Sequence, residues 1–285
     1  MKRINSIFFA VFLFLLNVFV WQEVFALNTP KYLMVDFLNV GQGDSAFVET
    51  PQGHQIMIDG GPNSVVLAKL AFLMPFWDKD LDLIILTHPE KDHMQGLLEV
   101  LKNYRADYIL WSGIKKDGQD YEKWLAVLEH QKKLGAKIIV AESSEIITAG
   151  DLKIDVLYPF LSLENKEVKS ANETSVVAKI IYGKNYFLFT GDIDMAIERK
   201  IVKSGQNVNA DVLKIAHHGS KYSTSPEFLQ SVSPFLAVIS VGKNSYGHPT
   251  SEVLNKLENF GIKVKRTDIA GDIKLMSDGN KIYSQ

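Results

Sequence analysis

The sequence predicts one layered α/β domain, residues 31–285, behind an apolar export or anchor segment, residues 1–27. Three observations predict it. A charge-free apolar run follows Lys2 and Arg3. Short segments rich in Val, Ile, Leu and Phe, bounded by Gly, Asp, Asn and Pro, then alternate with stretches of helical apolar spacing. Finally, 285 residues that are 46% hydrophobic supply the apolar surface for a sizeable core.

The composition also excludes function classes. With no cysteine, Cys-based zinc fingers, thiol nucleophiles and redox pairs are absent, and any metal site must use His and carboxylates. Lys and Arg number 31 against 33 Asp and Glu, which leaves no bulk positive charge for nucleic acid. Any nucleic acid would be a substrate held at a cleft.

At the amino terminus, Lys2 and Arg3 precede an uncharged run from Ile4 to Trp21, interrupted only by Asn5, Ser6 and Asn17. This is a positive n-region followed by an apolar h-region. Val24-Phe25-Ala26 offers cleavage before Leu27. The run is also about long enough to span a bilayer, with Trp21 placed as an interfacial anchor. Both outcomes export the domain, as a secreted protein or as one held to the cytoplasmic membrane through residues 4–21. Asn28-Thr29-Pro30 then breaks the run.

Beyond the break, strands are expected near 33–39, 45–50, 54–58, 82–87, 107–111, 137–141, 152–158, 175–182, 185–190, 211–216, 235–240, 262–266 and 272–277. Helices are expected near 64–74, 94–104, 120–134, 194–204, 225–231 and 251–260. Gly53 and Gly183-Lys184-Asn185 read as hairpin turns, so part of the sheet is antiparallel.

Polar and titratable residues gather where these strands end. One strand runs into Asp59-Gly60-Gly61, another into His88-Pro89-Glu90-Lys91-Asp92-His93, and others into Gly191-Asp192, His217-His218-Gly219-Ser220 and Gly247-His248-Pro249. Each alone is an ordinary turn. Together they converge on one sheet edge, where His and carboxylates hold hard or borderline divalent ions. The loop from His88 to His93 can direct alternate side chains at two ions, although Asp92 could also simply cap the next helix.

The segments VDFLNVGQGDS, MIDGG, ILTHPEKDHMQG, LFTGD, LKIAHHGS, ISVGKNSYGHP and RTDIAG occur in order. In this respect the chain resembles the metallo-β-lactamase-fold domain of the ComEC competence proteins and their standalone relatives. The resemblance implies a four-layer αββα sandwich and a divalent-metal site, zinc or manganese, with one or two ions. It implies His88, Asp92 and His93 in the metal loop, Asp192 as bridging aspartate, the last ligand within His217-His218, and Asp59 orienting the loop from behind. Glu90 stands where many hydrolytic relatives have a second His, and Asn172-Glu173-Thr174-Ser175 occupies the region of the usual mid-chain ligand. The ion near His88 and Glu90 therefore has fewer and harder ligands.

Such a site suits hydrolysis of a phosphodiester such as DNA, because an ion lowers the pKa of its water to about 7 for zinc. Ser220, Lys243, Asn244 and the amides of Gly41-Gln42-Gly43 are candidate donors to phosphate oxygens. If strand alternation continues from Leu213 and Ile215, His217 faces the metal and His218 is free to give a proton to the leaving oxygen, with His248 as its competitor. Asp92 joins them as a catalytic candidate. Two other readings are a phosphodiesterase of cell-wall or lipid phosphoesters and a non-catalytic surface accessory of DNA uptake. A lactamase lacks support, since the missing histidines are among those its zinc site uses.

Overall fold

The computed structural model describes residues 2–28 and 32–284. One sheet comprises β1 (Leu33–Phe37), β2 (Ser45–Glu49), β3 (Gln55–Gly60), β4 (Asp80–Leu86), β5 (Arg105–Trp111) and β6 (Lys137–Val140), with β14 (Ile273–Ser277) and β15 (Ile282–Ser284) beside β1. The other comprises β7 (Ile146–Ala149), β8 (Leu152–Tyr158), β9 (Val177–Tyr182), β10 (Asn185–Phe189), β11 (Val212–Lys214), β12 (Leu236–Ile239) and β13 (Lys263–Arg266).

Alternation along each strand divides the apolar side chains between two faces. Val35, Val48, Ile56, Ile58, Phe187 and Val212 point inward and fuse the sheets into one core. Phe37 and Phe189 stack across it with ring centroids 5.4 Å apart. Phe47, Met57 and Ile84 face outward, beneath α2 (Val65–Leu73), α3 (Lys91–Asn103) and α4 (Gln119–Lys133). On the other side, Leu213, Ala237 and Ile239 lie under α5 (Met195–Lys203), α6 (Pro226–Val232) and α7 (Ser251–Asn259). The result is helix, sheet, sheet, helix, each buried Leu, Ile or Val contributing about 1.5–3 kcal/mol.

β3 to β6 run parallel, as do β10 to β13. Parallel strands deliver their carboxyl ends to one edge, and turns there carry ligand-binding groups. Here Asp59 is the penultimate residue of β3, and His88, Asp192 and the His217-His218 pair follow the ends of β4, β10 and β11. The expected hairpins are present as β2–β3 and β9–β10, with Gly53 and Gly183 at positive φ.

Three expectations change. The α3 helix begins at Lys91, before the expected start, so Asp92 and His93 sit in its first turn. β11 stops at Lys214, short of the histidines. β7 and β15 are edge strands of four and three residues, exposed or half-buried throughout and too short to show a strand period in the sequence. A brief helix, α8 (Thr267–Ala270), is also added.

The amino-terminal segment forms α1 (Lys2–Asn28), through the expected cleavage point, with Phe8, Phe12, Leu15, Phe19 and Trp21 exposed. Among the described residues no helix is long and apolar enough to cross a membrane. Thr29 and Pro30 of the expected break lie outside the described residues.

Candidate metal centre

Asp92, His93, Asp192 and His218 bring their ligand atoms within 4.8 Å of one another. Three elements build the group. The α3 helix supplies Asp92 and His93, and its close seat depends on Gly96, where a Cβ would come 1.8 Å from the Gly60 carbonyl oxygen. Asp192 follows β10, its amide donating to Ser175 Oγ at 3.1 Å. His218 lies in a turn after β11, with His217 and His218 both at φ 53°.

Both histidines present Nε2 to the group because Nδ1 is engaged behind. His93 Nδ1 lies 2.8 Å from Asp59 Oδ2, and Asp59 also accepts from the Thr87 amide and hydroxyl at 2.8 and 2.7 Å. His218 Nδ1 lies 2.9 Å from the Ser240 carbonyl. Its Nε2 is 3.2 Å from Asp92 Oδ2 and 3.6 Å from Asp192 Oδ2, while His93 Nε2 is 3.3 Å from Asp192 Oδ1. This arrangement selects the tautomer that leaves Nε2 for a metal.

The donor set fits a divalent ion. His93 Nε2 and Asp192 Oδ1 are buried without a hydrogen-bond partner, as expected of atoms meant for an ion. Burial lowers the affinity of the His93 and His218 rings for a proton. The carboxylates outweigh it, Asp192 foremost, raising His93 well above its ordinary value and His218 to about 10. Asp192 is held well below the carboxylate range, since His93 and His218 overcome the effect of its burial. A pocket that draws positive charge so strongly suits a cation whose arrival displaces protons.

The two members of the histidine pair occupy the reverse of their expected places. Buried His218 joins the cluster, and His217 stands at the rim with Nε2 3.9 Å from Asp192 Oδ2. Alternation fails because β11 has ended and two consecutive left-handed residues turn the chain over.

His88 and Glu90 are not in the four-donor group. His88 is fully buried, its ring centroid 4.2 Å from that of His93, and burial with that neighbour pushes it down to about 3. Glu90 instead accepts from Lys116 Nζ at 2.5 Å and flanks the cleft. Ser220 is buried, its Oγ accepting from the Tyr222 amide. Asn244 turns inward to donate to the carbonyls of Gly242 and His248, bracing the loop that carries His248. Lys243 is exposed and is not among the cleft residues.

One residue escaped the sequence reasoning. Asp44, after the Gly41-Gln42-Gly43 turn, is buried beside both histidines, 3.2 Å from His218 Nδ1 and 3.8 Å from His93 Nδ1. Lys214 from the opposite sheet pairs with it. With Asp59 and His93 it forms a second group of possible ligands, but Asp59 and Asp44 are already engaged by Thr87 and Lys214. The signal was an Asp behind a Gly-rich strand end, read there only as a source of amides. Gly43 permits the approach, since a Cβ there would lie 2.3 Å from the Asp92 carbonyl oxygen.

Above the cluster opens a cleft of about 230 Å³ flanked by Gln42, Glu90, Asn172, His217, Tyr246 and His248. Burial lowers the pKa of both His217 and His248, whose ring centroids are 5.7 Å apart.

A four-layer αββα sandwich with a His/Asp cluster at its strand ends defines a metallo-β-lactamase fold. Residues 38–243 match the metallo-beta-lactamase superfamily, and the chain belongs to it. Among its relatives are competence proteins: the chain is 33% identical over 259 residues to ComE operon protein 3 of Bacillus subtilis, covering 84% of this chain and 32% of that protein. It is 26% identical over 282 residues to Recombination protein 2 of Haemophilus influenzae, covering 96% of this chain and 32% of that one. The chain thus spans about a third of the length of these relatives. The crystal structure of the metallo-beta-lactamase fold protein YhfI from Bacillus subtilis superposes with a TM-score of 0.55 at 16% identity, over 89% of this chain and 100% of that one. The ComEC-like resemblance carried by the motifs stands, and the fold implies one or two divalent ions.

Proposed function

We propose that the chain is a metal-dependent phosphodiesterase, a nuclease acting on extracellular DNA or in DNA uptake. The observation that carries this reading is the donor cluster on the floor of an open polar cleft whose rim holds two further histidines and two side-chain amides. His93, His218, Asp92 and Asp192 would hold zinc or manganese, which when bound supplies a Lewis acid and an activated water. Asp59 keeps the His93 ring in orientation. Gln42 and Asn172 are placed to donate to phosphate oxygens. His217 and His248, whose pKa values burial lowers, would serve as bases: one takes a proton from the attacking water and, as the imidazolium so formed, returns it to the leaving oxygen.

The export expectation belongs to the same reading. It rests on the uncharged run after Lys2 and Arg3 and on the apolar side chains that α1 exposes. Protease protection on fractionated cells tests it, with full-length protein in the cytosol as the contrary result.

The decisive experiment strips the purified protein of metal, restores Mn²⁺ or Zn²⁺, and offers single-stranded DNA, a nitrophenyl phosphodiester, choline-phosphate polymer and nitrocefin. Metal-dependent cleavage of DNA and the nitrophenyl ester is expected. Cleavage of the polymer alone would move the substrate to the cell wall, and DNA bound but uncut with either metal would leave only the accessory role.

A further inference from the structure

The end of the sandwich opposite the metal cluster carries its own chemistry. β3 and β4 end at the cluster, so the parallel starts of β4 at Asp80 and β5 at Arg105 lie at the far end. Seven residues of β4, at about 3.3 Å each, put about 23 Å between the two ends. There the turn after α2 exposes Phe76 and Trp77 at 81% and 71%, with Phe72 of the helix at 91%. The rings of Phe76 and Trp77 meet edge to face at 4.8 Å and are not part of the buried core. Large aromatic side chains this exposed, three within six positions, mark an interaction surface.

A second feature adjoins it. Two residues past Trp77, Lys79 lines a cleft of about 260 Å³ with Lys102, Arg105 and His130; Arg105 faces Asp80 at 3.6 Å, Lys102 pairs with Glu99 beside the cleft, and Lys79 donates to the Tyr104 hydroxyl. A third feature says what covers this end. β1 runs in the same direction as β3, because both are antiparallel to β2. Its start at Leu33 therefore lies at this far end, about three strand spacings or ~14 Å from β4. The polypeptide from α1 thus joins the domain beside the aromatic turn and the basic cleft.

We infer that this end rests on an anionic lipid surface, with Phe72, Phe76 and Trp77 in the interfacial layer and the Lys79–Arg105 cleft taking a lipid phosphate. Aromatic rings favour the interface and cationic side chains favour anionic headgroups. The inference rests on the export reading for the presence of a membrane, not for the chemistry of the face. It directs the catalytic cleft away from the bilayer, toward a polymer arriving from solution and away from the headgroups beneath it.

The test uses the full chain with vesicles of phosphatidylglycerol and phosphatidylcholine, or of phosphatidylcholine alone, each containing lipid brominated along the acyl chain. The emission of Trp77 is read as the difference between wild type and Trp77→Phe, and that of Trp21 from Trp21→Phe. Bromolipid should quench the Trp77 emission roughly twofold. Lys79→Ala with Arg105→Ala should weaken that quenching in phosphatidylglycerol vesicles only. Trp21 quenched with Trp77 unquenched overturns the lipid contact while leaving the anchor standing. Neither quenched overturns both, and Trp77 alone quenched upholds the contact without the anchor. Trp77 shielded from both bromolipid and aqueous iodide would show that protein covers this face, and double substitution without effect would remove the phosphate from the inference.

Discussion

His218 Nε2 lies 3.2 Å from Asp92 Oδ2, so the turn after β11 of one sheet meets the first turn of the helix that covers the other. His217, one residue earlier, stands 3.9 Å from Asp192 at the cleft rim. Removing the first should therefore empty the site, and removing the second should leave it loaded. His218→Ala is expected to weaken metal binding by well over roughly 100-fold, since even a change behind a ligand costs about 10–100-fold. His217→Ala should keep the ion and slow hydrolysis. Metal content by elemental analysis, with chelator competition for affinity, separates them; equal loss in both would overturn the assignment.

Gly96 makes a structural prediction about the same site. Gly96→Ala sets a methyl group against the Gly60 carbonyl and pushes α3, with Asp92 and His93, off the sheet. It should destabilise the domain by about 2–3 kcal/mol and lower metal affinity together. Thermal unfolding with and without metal would show it: a variant with an unchanged transition and full metal content contradicts the close packing.

Asp36 gives a pH dependence remote from the metal. Buried on β1 with Oδ1 unpartnered, it is pushed up to about 6 by burial and by Asp272, against the pull of Lys274. Because this exceeds the unfolded value of about 3.9, the native state holds the proton more tightly. Stability should thus decline as pH rises from about 4 to about 6 and level off above. Two units at about 1.4 kcal/mol each make the upper bound about 3 kcal/mol. Asp36→Asn should add about 1–3 kcal/mol at pH 7 and nothing below pH 4. Denaturant unfolding across that range is the measurement, and a variant less stable at pH 7 would reverse the sign.

Glu198 bears on the turn that carries the histidine pair. Fully buried, it accepts from the amides of Thr224 and Ser225 at 2.5 and 2.7 Å, where the chain leaves that turn and starts α6. Glu198→Ala leaves two buried donors unpaired and should cost about 2–4 kcal/mol. Equilibrium unfolding reads this loss, and Glu198→Gln, which keeps one acceptor, should recover part of it. Identical unfolding of both variants and wild type would show that the carboxylate holds nothing.

By itself the sequence determined the alternating α/β order, the hairpins at Gly53 and Gly183, and the strand ends where Asp59, His88, Asp92, His93, Asp192 and His217-His218 would meet. These are local properties: apolar periodicity marks a strand, and a metal-type residue after it marks where the strand stops. Only the tertiary structure decided which histidine of the pair enters the cluster, because two consecutive left-handed residues are invisible to an alternation rule. It also brought Asp44 and Lys214 together from different sheets and tied Glu90 to Lys116, 26 positions away. Such pairings arise when two independently patterned sheets pack face to face, and no spacing along the chain encodes how one sheet lies on the other.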